Sequence, residues 1–216
     1  MTSIDLYFDL LSPFAYVALA RLDELPADVP LRMRPIILGP VLAHWGQRGP
    51  AEIAPKRTHT YRLSCFLAEK HGLPIRFPPR HPFNPLTAMR LLAGAETDTA
   101  MVRAAFGFVW GEGRAVDTPE EVTALAERLG LDPALAQSES AKARLRGFTE
   151  EAIARGIFGV PTFAVTAADG REELFWGVDS IDMLLAWLQE PRLFDREPYA
   201  SLGSVEMAVT RKAVAG

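Results

Sequence analysis

Leu6-Tyr7-Phe8-Asp9-Leu10-Leu11-Ser12-Pro13-Phe14-Ala15-Tyr16 is the stretch on which the fold turns. From Ile4 to Asp9 the residues are apolar or aromatic with interspersed aspartates, which predicts a first strand. From Ala15 to Leu25 the pattern predicts a helix. Pro13 suits the first helical position, where a missing N–H costs nothing, and Ser12 is a natural N-cap. A hydroxyl is thereby placed beside unpaired amides and the positive end of a helix dipole. Such a place suits an anion, a thiolate among them.

Composition narrows what the chain can be. At 216 residues, 49% of them apolar, it can bury a core without metal or disulfide staples, as one domain or one domain with a large insertion. A net charge of −4 and the lack of a basic run argue against a nucleic-acid partner. No cationic start leads into an apolar run, and no apolar stretch approaches the roughly 20 residues that span a bilayer, so neither secretion nor a membrane is expected. A single cysteine, Cys65, cannot close an internal disulfide and fits a reducing compartment, here the cytoplasm. Its place on an apolar-periodic helix marks it as a small buried hydrophobe. No set of metal ligands is apparent.

Outward from the opening stretch, Leu31 to Ile37 reads as a second strand and completes a β-α-β unit. Helical signals then run for about a hundred residues. Pro55 opens a helix with Tyr61, Leu63, Phe66 and Leu67, and Asn84-Pro85 starts another. Asp98 caps a third, Thr118-Pro119-Glu120-Glu121 is a capping box, and Asp132-Pro133 and the Ser138 to Arg155 stretch supply two more. Strand character returns at Pro161 to Val165, Asp169-Gly170 marks a turn, and Glu173 to Trp176 answers as a hairpin strand. Asp179 or Ser180 caps a last helix that Pro191 ends, and the tail from Leu193 onward is a loop with a short terminal helix. The order β-α-β, helical insert, β-β-α predicts an α/β thioredoxin-like fold with a large inserted all-helical lobe. On this division residues 1–37 and 157–216 form a discontinuous thioredoxin-like domain, and residues 38–156 the inserted helical domain.

In thioredoxin-like proteins a proline at the position of Pro161 is cis and faces the N-terminus of the first helix, and the residue before it offers its backbone to an extended ligand. Ser12 and Val160-Pro161 are expected to meet there. The opening serine also stands where a thiol-redox protein carries the first cysteine of Cys-x-x-Cys, with Ala15 in place of the second. A thiol–disulfide exchange role is thus disfavoured. A binding module without catalysis is a further alternative.

Four blocks resemble the 2-hydroxychromene-2-carboxylate isomerase family, which is similar to kappa-class glutathione transferases: Tyr7 to Tyr16, Val109 to Arg114, Gly156 to Phe163, and Phe175 to Asp179. The resemblance implies a glutathione-dependent isomerase of aromatic degradation, or else a kappa-like transferase conjugating electrophiles. It implies glutathione as cofactor, a small aromatic substrate and a homodimer. It assigns Ser12 to the glutathione sulfur, with Pro13 and Phe14 beside it, Val160 and Pro161 to the cysteinyl backbone, and Trp176, Gly177, Val178, Asp179 and Ser180 to the γ-glutamyl end. Gln47 stands where relatives often have Asn. The substrate side is drawn from His81, Asn84, Trp110 and Arg114, although Asn84 also reads as a helix cap and His81 as a surface-loop residue. Relatives acting on the chromene carry a lysine near the position of Ala43, whereas Leu38 to Gln47 contains only His44 as a candidate cation. Lys56 and Arg57 are alternative sources of the charge, or else plain exposed helix residues.

Overall fold

The computed structural model describes residues 1–209; residues 210–216, the end of the predicted thioredoxin-like segment, lie outside the described residues. Its centre is a four-stranded sheet of β1 (Ser3–Phe8), β2 (Leu31–Pro35), β3 (Thr162–Thr166) and β4 (Glu172–Trp176), in the order β2-β1-β3-β4. Strand β2 runs parallel to β1, with Leu6 opposite Met33, and β3 runs antiparallel to β1, with Leu6 opposite Phe163. The hairpin partner β4 pairs antiparallel with β3. This is the thioredoxin-like α/β fold.

Five consecutive buried residues in β1 show that both faces of the sheet are covered. Alternation sorts them. Ile4, Leu6 and Phe8 join Phe163 and Val165 in the main core, together with Met89, Leu92, Phe106 and Trp110 from the helical stretch. Tyr7 points the other way, with Ala164, Ile36, Val41, Ala152 and Val160. Each large side chain so removed from water contributes about 1.5–3 kcal/mol.

The helices are α1 (Pro13–Leu19), α2 (Leu38–His44), α3 (Ala54–Lys70), α4 (Leu86–Gly94), α5 (Thr99–Phe106), α6 (Pro119–Leu129), α7 (Glu139–Ala154) and α8 (Ile181–Gln189). Local signals predicted most starts. Asp98 accepts from Met101 N, Thr118 from Glu121 N and Ser138 from Ala141 N. The capping box is only half closed, because Glu121 turns its carboxylate to Arg114 at 2.9 Å.

Three features differ from expectation. Helix α1 stops at Leu19 rather than Leu25, and a 3₁₀ turn over Leu22–Glu24 leads into Pro26, which disfavours helical backbone at the residue before it. Before α8, Val178–Ser180 forms a 3₁₀ turn, and neither Asp179 nor Ser180 caps the helix through its side chain; the Ser180 hydroxyl donates to Gly177 O instead. Cys65 is half-buried on α3 rather than a core residue. The tail holds two 3₁₀ turns, Leu193–Asp195 and Tyr199–Ser204. No helix among the described residues is long and apolar enough to cross a membrane.

Candidate active site

The site grows from the turn that joins β1 to α1. Ser12 is the N-cap of α1: its Oγ accepts from Ala15 N at 3.2 Å, and Pro13 fills the first helical position. The same hydroxyl donates to Val160 O at 3.4 Å, across 148 residues of chain. Pro161 follows a cis peptide bond after Val160 and faces this turn, as predicted. Ser12 and Val160 are both nearly buried, at 7% and 8% exposure. Among the described residues, the Val160 N–H has no acceptor and its carbonyl receives only the Ser12 hydroxyl. One backbone donor and one acceptor are therefore presented side by side next to a hydroxyl.

Around this pair lies a rim of half-exposed aromatic side chains. Trp176, at the end of β4, sits on Gly159, where a Cβ would come within 2.5 Å of the indole nitrogen; a larger residue at 159 would displace the ring. Phe158 meets Trp176 edge-on, with ring centroids 5.1 Å apart. On the other side Trp45 donates its indole N–H to Ile157 O at 2.8 Å. This bond ties the end of α2, and with it Gln47, to the loop before Pro161. Trp45 carries no local sequence signal for that role, because its partner lies 112 residues away.

Gly177 has a φ of +88°, which only glycine adopts without strain, and its N–H donates to Pro161 O at 2.9 Å. The turn so formed brings Val178, Asp179 and Ser180 up to the cis-proline loop. Ser180 is spent on Gly177 O, whereas the Asp179 carboxylate has no hydrogen-bond partner among the described residues.

Behind Ser12, the turn is held from several directions. Asp9 is wholly buried, and its carboxylate accepts from Leu11 N and Leu38 N, both at 2.9 Å. Ser12 N donates to Asp9 O. Trp110 donates its indole N–H to Leu10 O at 2.9 Å. It reaches there from a π-helical turn over Gly107–Gly111 that continues α5. His81 Nε2 lies 2.9 Å from Leu11 O.

These positions correct part of the predicted substrate side. Trp110 is completely buried and meets Leu10 O from behind the turn. Arg114 pairs with Glu121 and lies over the Phe108 ring at 4.2 Å. Asn84 accepts from Leu86 N at the start of α4, and lines a cavity of about 270 Å³ with Thr87, Asp117 and Gln137 that includes neither Ser12 nor Val160. His81 and Trp110 do come together, at 5.3 Å between ring centroids, but behind the turn.

Burial pushes the Asp9 carboxyl up to about 6, against the lowering effect of the two backbone N–H bonds. A folded-state value above the unfolded one near 3.8 means that the native state binds the extra proton between the two. Stability from this group is therefore greatest below about pH 4 and declines as pH rises to about 6, by roughly 3 kcal/mol in all. Asp9→Asn should abolish that decline. It should also lower stability near pH 4 by about 1–3 kcal/mol, because one amide oxygen cannot serve two N–H groups that need separate acceptors. Urea unfolding of both proteins across this pH range checks the expectation, and an unchanged slope in the variant would refute it.

Comparison with known proteins agrees with this geometry. Residues 3–189 match the DSBA-like thioredoxin domain. A 2-hydroxychromene-2-carboxylate isomerase of Pseudomonas putida is 35% identical over 191 residues, covering 84% of this chain and 91% of that protein. Glutathione S-transferase kappa 1 of Rattus norvegicus is 25% identical over 207 residues, covering 87% and 91%. The solved structure of a 2-hydroxychromene-2-carboxylate isomerase superposes with a TM-score of 0.73 at 31% identity, covering 88% of this chain and 95% of the other. These relatives support an isomerase or a glutathione-related activity in general. By these matches the chain belongs to the DSBA-like thioredoxin family and, within it, to the 2-hydroxychromene-2-carboxylate isomerases.

Proposed function

We propose that the protein is a glutathione-dependent isomerase acting on a 2-hydroxychromene-2-carboxylate-like intermediate of aromatic degradation. The observation that carries the reading is the meeting of the Ser12 hydroxyl with a Val160 backbone whose N–H lacks an acceptor among the described residues. That arrangement fits the cysteinyl part of glutathione, which needs a donor and an acceptor for its backbone and a hydrogen-bond donor at its sulfur. When bound, glutathione supplies a thiolate that adds reversibly to a conjugated carbonyl system, so that a double bond becomes a rotatable single bond until elimination restores it.

The chain's own residues do the rest. Ser12 Oγ, already accepting from Ala15 N, turns its proton from Val160 O to the sulfur and favours the charged form. Val160 pairs with the ligand backbone on both its groups. Asp179 offers its carboxylate to the γ-glutamyl ammonium, while Ser180 holds the turn. Trp176 and Gly159 shape the wall on that side, and Gln47, just beyond the Trp45 tie, offers its amide to the ligand.

One observation favours a second reading. No lysine lies between Leu38 and Gln47 to meet the chromene carboxylate, which leaves transfer of glutathione to electrophiles in play. Titration with glutathione followed by two assays separates the readings. Saturable binding with glutathione-dependent isomerisation of 2-hydroxychromene-2-carboxylate is expected. Conjugation of chlorodinitrobenzene without isomerisation would favour the transferase, binding without either activity a binding module, and no saturable binding would sink all three.

A further inference from the structure

The turn that presents Ser12 exposes two carbonyls, Leu10 O and Leu11 O, at a point where neither strand nor helix supplies a donor. Trp110 takes the first, and His81 takes the second. A carbonyl only accepts, so His81 Nε2 carries a proton. Its other nitrogen, Nδ1, lies 2.7 Å from the Tyr61 hydroxyl, which is also 2.9 Å from His81 O. Burial lowers the His81 pKa; in the neutral ring with Nε2 protonated, Nδ1 is an acceptor, and the single Tyr61 proton is shared between it and His81 O. The imidazole is boxed by Tyr61, Phe77, Phe83 and Trp110, all with centroids within 6.2 Å. Its tautomer and its orientation are therefore both determined by its neighbours.

We propose that His81, oriented by Tyr61, is a positioning residue for Ser12: by holding Leu11 O it sets the Leu11–Ser12 peptide plane and so the direction in which residue 12 presents its side chain. His81 was expected on the substrate side; its contacts place it behind the turn. Without the Nε2–H donor, Leu11 O loses its partner, and the bond from Ser12 N to Asp9 O is left to hold that peptide plane from one side alone. Ser12 Oγ then drifts from the line joining Ala15 N to Val160 O, and a hydroxyl that is to meet a thiolate must be held in place. For catalysis the proposal rests on the glutathione reading of the same site, but the positioning itself can be read without any ligand.

A thiol at position 12 serves as the reporter. In a Ser12→Cys protein that also carries Cys65→Ala, the pKa of the introduced thiol follows from the pH dependence of its alkylation by iodoacetamide. It should lie below the ordinary thiol value of about 8.5. Adding His81→Asn, whose amide reaches only as far as Nδ1 did, should raise it by about one unit, a tenfold fall in thiolate at neutral pH. His81→Gln places a donor where Nε2 stood and should restore the low value. Tyr61→Phe should move it upward by less. A merely structural histidine would lower the melting temperature in His81→Asn and leave the reporter pKa where it was, and that result overturns the proposal. If His81→Asn does not fold, Tyr61→Phe decides, with an unmoved reporter pKa again overturning it. Glutathione titration of the wild-type protein runs alongside. No binding together with a reporter pKa that still moves removes the glutathione reading and leaves the positioning role. Binding together with an unmoved reporter pKa does the reverse.

Discussion

Ser12→Ala should lower glutathione-dependent turnover about a hundredfold while leaving the fold intact, the scale seen when one preorganised donor to a developing anion is removed. The loss is specific because the Ser12 hydroxyl is a side-chain donor to the carbonyl just before the cis-proline, Val160 O. Stability should fall by only about 1 kcal/mol, since what the native state loses is the cap bond from Ala15 N and a long bond to Val160 O. Glutathione should still bind through Val160, so the Michaelis constant for glutathione should move far less than kcat. Steady-state kinetics with a thermal melt on the same preparation check both halves. Turnover within twofold of wild type would remove Ser12 from the chemistry.

The largest stability effect is expected far from that hydroxyl, at Asp5. This side chain is buried within β1, yet it accepts from Arg32, Arg34 and Arg155 at 2.7 to 3.0 Å. Burial alone would raise its pKa, but the bonds from Arg32, Arg34 and Arg155 outweigh burial and hold it below the usual carboxylate value. Asp5→Asn leaves Arg34 without its counter-charge in a mostly closed environment and strips Arg155 of one of its carboxylate partners, Glu172 remaining, while the more exposed Arg32 can turn to water. A cost of about 3–5 kcal/mol follows, a large share of the total stability of a domain this size. Because the folded value is depressed, the contribution is present above the unfolded value near 3.8 and fades as pH falls through the folded one. Chemical denaturation at neutral pH measures the cost. A loss below about 1 kcal/mol would mean that the three arginines find water without Asp5.

The opposite pH behaviour of Asp5 and Asp9, four residues apart in one stretch of chain, shows what sequence reading could not reach. Both looked like aspartates interspersed in an apolar run. One faces three guanidinium groups, and the other faces two backbone N–H groups and no cation. The difference arises because Arg32 and Arg34 come from β2, Arg155 from the end of α7 and Leu38 from the start of α2. No local pattern reports such neighbours.

The same division holds for the site. Ser12-Pro13 declared a helix start by cap and ring geometry, which operate within four residues, and Val160-Pro161 was recognisable as a strand entry. Asp98, Thr118 and Ser138 were legible as caps for the same short-range reason. Where another partner competed with the cap, local reading failed. Glu121 left its capping box for Arg114, and Ser180 gave its hydroxyl to Gly177 O. Trp110 looked like a pocket residue and proved to be a buried support, because its partner Leu10 O lies 100 residues earlier in the chain. The tie from Trp45 to Ile157 O and the role of Asp9 behind the turn were missed altogether.

By itself, then, the sequence determined that a strand runs into a helix capped by a serine, with a proline-led strand and hairpin at the far end and helices between. Cap, turn and alternation rules act over a few residues, and those residues are adjacent in the chain. Only the tertiary structure decided that Val160 O meets the Ser12 hydroxyl, that His81 and Trp110 grip the carbonyls before it, and that Arg114 and Asn84 serve the scaffold. Those contacts span from 2 to 148 residues, and the longest, Ser12 to Val160 O, forms only when the sheet brings β1 and β3 side by side. Packing of the sheet against the helices sets these distances, and no residue announces its partner across them.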